Sequence, residues 1–213
     1  MKDIATMIRT LSLVSVLALL PATALARETS DDALNAKAAE AEMAIIEAAA
    51  ETPAVGLPNG AEAPAVSLVD TAGATQTLET LAGPKGTVIA FVRSADWCPY
   101  CKKQLLDLEA AAAPLAEAGW TLVAVSYDPS ETLAGYKADK GLTYELLSDE
   151  GSAAIKAFNL LNTDVKPGSR YEGIPHPAIV FVNADGYVVK TLREEGYKTR
   201  PAVDLVIETA EGL

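Results

Sequence analysis

The feature that most restricts the fold of this 213-residue chain is a junction near its middle. Thr87–Arg93 (TVIAFVR) is a continuous apolar run with β-branched residues, which reads as a strand buried on both faces. It leads into Trp97-Cys98-Pro99-Tyr100-Cys101, and a helical stretch then runs to about Ala118. Pro99 suits the first helical position, where its missing N–H costs nothing. Pro114 is expected to kink or split that helix near its end. A strand that turns into a helix through this motif sets Cys98 where backbone N–H groups lack partners and the helix dipole is positive.

That position favours a thiolate, which is the reactive form of cysteine. Lys102 and Lys103 add positive charge within one turn. Cys101 stands one helical turn further on, within reach to close a disulfide that releases a partner from Cys98. Exchange of this kind needs an exposed attacking sulfur, a resolving sulfur nearby and a tolerant loop between them. A purely structural bridge is the default in an oxidising compartment, but closing so short a loop removes little entropy from the unfolded chain. A c-type haem site needs histidine directly after the second cysteine, and Lys102 stands there. An iron–sulfur centre lacks ligands, because the chain has two cysteines and one histidine. The same count falls short of a four-ligand zinc site of cysteine and histidine. No metal or other cofactor is expected.

The segments around the junction extend the pattern. Val66–Val69 and Thr75–Leu78 flank Asp70-Thr71-Ala72-Gly73, a hairpin signal. Thr121–Val125 reads as a second buried strand, Glu131–Asp139 as a helix, Tyr144–Leu147 as a short strand and Ser152–Phe158 as a helix. Residues 159–175 read as a polar loop. Ala178–Val182 and Tyr187–Leu192 read as strands joined by Asn183-Ala184-Asp185-Gly186, and Ala202–Glu211 as a final helix. Strands that alternate with helices and end in a hairpin predict an α/β sandwich around a mixed sheet.

The N-terminus has another character. Lys2 and Arg9 precede the uncharged apolar run Leu11–Leu20, then Pro21 and Ala24-Leu25-Ala26, with Arg27-Glu28 after it. This is the layout of a secretory signal with cleavage after Ala26. The apolar core is too short to span about 30 Å of hydrocarbon, so no stable membrane span is expected after cleavage. Residues 31–51 predict an alanine-rich helix capped by Thr29 or Ser30, and 52–64 a Pro/Gly linker. The domain boundaries are therefore set at 1–26, 27–60 and 61–213. The net charge is −12, and loss of Lys2, Asp3 and Arg9 leaves the mature chain one unit more negative. Such a chain is unsuited to a run of nucleic-acid phosphates. The charge is otherwise a statement about solvation.

The run Val88–Cys101 followed by Lys102-Lys103-Gln104-Leu105 resembles the thioredoxin superfamily. The flanks resemble its redoxin branch, the alkyl hydroperoxide reductase / thiol-specific antioxidant group. These flanks are Ala63-Pro64-Ala65-Val66 with Leu68, Ser126-Tyr127-Asp128-Pro129, and Phe181-Val182-Asn183-Ala184-Asp185-Gly186. The resemblance covers about residues 61–195. It implies a thioredoxin-like fold, a central mixed sheet flanked by helices with an N-terminal hairpin extension. It also implies a cis-proline facing the cysteines. Pro175 and Pro177 are the candidates, and Pro177, directly before a strand and nine positions before Gly186, is the choice. His176 would then lie beside the sulfurs, able to tune a thiolate or carry a proton. Trp97, Pro99 and Tyr100 complete the positioning residues around Cys98 and Cys101.

The resemblance is incomplete in ways that bear on function. Peroxiredoxins carry P-x-x-x-T-x-x-C. With Cys98 as its cysteine, the Pro and Thr positions hold Phe91 and Ala95; with Cys101, they hold Ser94 and Cys98. The arginine expected before Phe181-Val182-Asn183 aligns with Pro177, which leaves Arg93 or Arg200 as substitutes from elsewhere. The buried aspartate of thioredoxins, six residues before the first cysteine, is Val92. The glutamate that some exported relatives place three residues after the second cysteine is Gln104. The first expectation is thus an exported, periplasmic thiol–disulfide oxidoreductase in which Cys98 attacks, Cys101 resolves and a dithiol donor recharges the pair. Its substrates would be protein disulfides. The alternatives are a thiol peroxidase acting on hydroperoxides through the same pair, and a redox-switched binding protein that docks through the acidic N-terminal helix.

Overall fold

The computed structural model describes Lys37 and residues 55–213. The expected secretory signal and nearly all of the helix expected over 31–51 lie outside the described residues. The described elements are β1 (Leu68–Val69), β2 (Thr75–Gln76), α1 (Leu78–Leu81), β3 (Gly86–Phe91), α2 (Pro99–Glu117), β4 (Trp120–Ser126), α3 (Ser130–Lys140), β5 (Glu145–Ser148), α4 (Ala153–Ala157), β6 (Ala178–Asn183), β7 (Val188–Leu192) and α5 (Val203–Gly212). One seven-stranded sheet runs in the order β2-β1-β5-β4-β3-β6-β7. β3 pairs parallel with β4 and β4 with β5, while β6 is antiparallel to both β3 and β7. This is the α/β mixed sheet of a thioredoxin-like fold, with the β1–β2 hairpin added at one edge.

The central strands are largely apolar because both sheet faces are covered. Val88 and Ala90 of β3 join one buried cluster with Leu105, Leu108, Leu115 and Val206 from the helices α2 and α5. Ile89 and Phe91 join the other with Ile155, Phe158 and Leu160 around α4. The same alternation continues in β4, where Leu122 and Ala124 face the first cluster and Val123 and Val125 the second. Each of the larger side chains, Val, Leu, Ile and Phe, contributes about 1.5–3 kcal/mol by leaving water. Gly86 opens β3 at φ +134°, and a Cβ there would run into the Val182 carbonyl of β6. Only glycine lets the two strands start their pairing at Gly86 and Asn183.

Helix α2 continues through Pro114 and is not split. The proline lies in the last turn, so little of the hydrogen-bond ladder depends on it. The segment expected as a linker is bonded into the domain from Val55 onward. Gly56 N–H donates to Asn159 O at 2.8 Å, Gly60 N–H to Val188 O at 2.7 Å and Ala63 N–H to Gly186 O at 2.8 Å. Val55 and Leu57 pack on the second cluster.

Candidate functional site

Cys98 is the N-cap of α2, with Pro99 as the first helical residue. Cys98 and Cys101 are joined as a disulfide with a Cα–Cα distance of 5.2 Å. The Cys98 sulfur accepts a hydrogen bond from the Cys101 N–H at 3.2 Å. The atom that caps the helix is therefore a sulfur, in the place where serine or aspartate oxygens usually stand. A reduced Cys98 in this position gains from the same N–H and from the dipole, and both favour its thiolate.

The loop that delivers Cys98 is tied to a buried carboxylate. Asp128, on the turn after β4, accepts from the Ser94 hydroxyl at 2.9 Å, the Ala95 N–H at 2.6 Å and the Ser126 hydroxyl at 2.9 Å. Ser94 Oγ in turn accepts from the N–H groups of Asp96 at 2.9 Å and Trp97 at 3.2 Å. These bonds fix the chain between β3 and α2. They also satisfy the carboxyl oxygens, which is what lets the group stay buried. Asp128 belongs to the motif Ser126-Tyr127-Asp128-Pro129, but its role as an anchor was not foreseen.

Aromatic and cationic side chains surround the disulfide. Trp97 Nε1 donates to the Tyr127 hydroxyl at 3.0 Å, and that hydroxyl donates to Arg170 O at 2.8 Å. The Trp97 ring meets Tyr171 edge-on at 4.6 Å. Arg93 lies 5.0 Å from the Trp97 ring and 4.5 Å from the Tyr197 ring, and Tyr197 meets the exposed Tyr100 edge-on at 5.9 Å. Loop residues between β7 and α5 thus reach over the motif. The attacking sulfur was expected to be exposed, but Cys98 is only 1% and Cys101 0% accessible.

The charge near the sulfurs comes from arginines. Arg200 Nη2 lies 3.5 Å from Cys101 Sγ. Its Nε donates to Gln104 Oε1 at 2.6 Å, and its Nη1 donates to the carbonyls of Tyr197 at 2.6 Å and Thr199 at 2.8 Å. Burial and the neighbouring charge of Arg93 hold the Arg200 pKa down at about 10, so the group remains a cation at neutral pH. Burial also lowers the Arg93 pKa, offset in part by Tyr197, Tyr171 and Tyr127. Lys103, expected to help the thiolate, is spent on Asp107 at 2.6 Å.

The expected cis geometry at Pro177 is corrected. No cis peptide bond occurs among the described residues, so Pro177 is trans. Its preceding residues are drawn into a bridge between Leu161 and Pro175, and the His176 N–H donates to Leu160 O at 2.7 Å. Pro177 then enters β6 directly, where Ala178 pairs with Phe91. Burial lowers the His176 pKa, and the charges acting on it are Arg193, which lowers it further, and Asp164. A side chain that touches a sulfur comes from the β7–α5 loop, Arg200 on Cys101. Among the described residues no group of three or more His, Cys, Asp or Glu is placed to hold a metal ion.

The AhpC/TSA family matches residues 59–191. A peroxiredoxin-like protein of Mycobacterium tuberculosis is 30% identical over 122 residues, which cover 57% of this chain and 76% of that protein. Peroxiredoxin Q of Xanthomonas campestris is 26% identical with a TM-score of 0.59, over 69% of this chain and 90% of that one. The peroxidoxin BcpB of Mycobacterium tuberculosis shares the fold at a TM-score of 0.61 and 21% identity, over 75% of this chain and 96% of that one. With its strand, sulfur-capped helix and sheet order all of one type, the chain belongs to the AhpC/TSA family.

Proposed function

We propose that the chain is an oxidoreductase of the thiol peroxidase type that reduces hydroperoxides through Cys98 and Cys101. The observation that supports this most is the sulfur cap: Cys98 sits at the start of α2, bonded to the Cys101 N–H, in an AhpC/TSA domain. The Cys98 thiolate attacks the peroxide O–O bond and becomes a sulfenic acid, and the alcohol or water leaves. Cys101 then attacks the sulfenic sulfur, releases water and forms the disulfide. A dithiol donor returns the pair to the reduced state. Alkyl peroxide reduction is the activity named for the Xanthomonas campestris bacterioferritin comigratory protein, which is 26% identical to this chain. The segment 1–26 supports an exported, periplasmic location for this activity.

The test is hydroperoxide consumption by the reduced protein. It should be fast, and Cys98→Ser should abolish it. Consumption no faster than that of an equal concentration of free dithiothreitol sinks the reading.

A specific departure favours a second reading, thiol–disulfide exchange with protein substrates. Phe91 and Ala95 stand where a peroxidatic Cys98 would have its proline and threonine, and Pro177 stands where the arginine is expected. Under this reading Cys101→Ser traps partner proteins on Cys98 as mixed disulfides. An exported-protein extract that yields none counts against it.

A further inference from the structure

We infer that Arg200 is a catalytic residue for the reductive half of the cycle, where it holds the negative charge that develops on Cys101 as the disulfide opens. The inference needs the Cys98–Cys101 pair to cycle, as proposed above, but not a particular oxidant.

The two sulfurs are not equally open to an incoming thiolate. Arg200 Nη2 lies 3.5 Å from Cys101 Sγ and screens it. Cys98 carries no such cover from a cation among the contacts described, and it bears the helix N-terminus instead. Attack therefore falls on Cys98 Sγ, and Cys101 is the leaving group. A donor thiolate forms a bond to Cys98 Sγ, the Cys98–Cys101 bond breaks, and its electron pair stays on Cys101 Sγ. The donor's second thiolate then attacks the mixed disulfide. The donor leaves oxidised, and both cysteines are left reduced. The rate of the first step rises as the leaving thiolate is stabilised.

Arg200 is held ready for that charge. Four hydrogen bonds, to Gln104, Tyr197 O and Thr199 O and to the sulfur itself, fix the guanidinium before the thiolate exists. A donor already in place costs no reorganisation when the charge appears. The half-buried setting strengthens the attraction compared with water. Gln104, itself nearly fully buried, spends its carbonyl oxygen on orienting Arg200. It is a positioning residue and stands where exported relatives of the thioredoxin kind would place a glutamate. A glutamate would have neutralised the guanidinium that the amide leaves free to act on sulfur.

The experiment follows reduction of the oxidised protein by dithiothreitol, read by thiol alkylation after an acid quench. Equilibrium with glutathione buffers supplies the potential. Arg200→Gln should slow reduction about tenfold. It should also make the dithiol form about tenfold less favoured, which for a two-electron couple is a shift of about 30 mV to more negative potential. Arg200→Lys keeps the charge and should stay within about threefold of the parent on both measures. A parent-like rate and potential in Arg200→Gln overturns the inference. So does an Arg200→Lys variant as impaired as Arg200→Gln, since that marks a merely structural role. If Arg200→Gln does not fold, Gln104→Met takes its place and should slow reduction several-fold; an unchanged rate there overturns the inference. A parent disulfide that dithiothreitol does not reduce points to failure of the proposed function itself.

Discussion

Asp128 receives both the Ser94 hydroxyl and the Ala95 N–H, at 2.9 and 2.6 Å, and so ties the turn after β4 to the loop that carries Cys98. The side chain is nearly fully buried and accepts hydrogen bonds from Ser94, Ala95 and Ser126. Asp128→Ala leaves the Ser94, Ala95 and Ser126 donors without an acceptor. Each such orphan costs about 1–3 kcal/mol, so a loss of about 3 kcal/mol or more in unfolding free energy is expected. Urea denaturation checks it. A loss under about 1 kcal/mol would mean that the loop is held by other contacts.

Tyr197 closes over the motif by packing on Arg93 and Tyr100. Tyr197→Ala should expose the disulfide and speed its reduction by a protein-sized dithiol more than its reduction by dithiothreitol. Stopped-flow reduction with both reagents gives the ratio. An equal change for the two would show that Tyr197 is not what limits access.

His176 should titrate below the ordinary 6.5, because burial and Arg193 both disfavour its charged form. The linkage follows directly. On acidification the unfolded chain takes up this proton first, so the stability contribution is full above pH 6.5 and lost as pH falls through the folded value. An NMR titration of the single histidine measures the pKa, and a value above 6.5 contradicts the prediction. His176→Ala should leave hydroperoxide consumption within about twofold, and a tenfold loss would restore it to the site.

Gly86→Ala should cost more than about 2 kcal/mol, since its φ of +134° and the Val182 carbonyl both reject a Cβ. Denaturant unfolding tests this, and a neutral effect would show that β3 and β6 can part at that end without penalty.

The parts of this molecule that could be read from sequence are those written in local pattern. The β3 run is almost wholly apolar, and Pro99 marks where α2 begins, so strand, motif and helix follow from adjacent residues. Cys98 and Cys101 stood out for the same reason. The surroundings of the sulfurs did not, because they come from far along the chain. Arg200 reaches Cys101 across 99 positions, and Asp128 reaches Ser94 across 34. Arg93 and Arg200 could be named as substitute arginines, but spacing says nothing about which sulfur either one meets. The resemblance implied a cis bond at Pro177, and the bond is trans. The Leu161–Pro175 bridge just before it joins residues that no local pattern pairs.

The sulfur cap on α2 has a consequence for the whole domain. In most helices the first turn is secured by an atom that takes no part in chemistry. Here the securing atom is the one that the proposed cycle oxidises and reduces. Thiolate, disulfide and oxidised sulfur differ as acceptors, so that cycle would also retune how firmly α2 begins. Hydrogen exchange at Cys101 in the oxidised and reduced protein would read the difference with no substrate present.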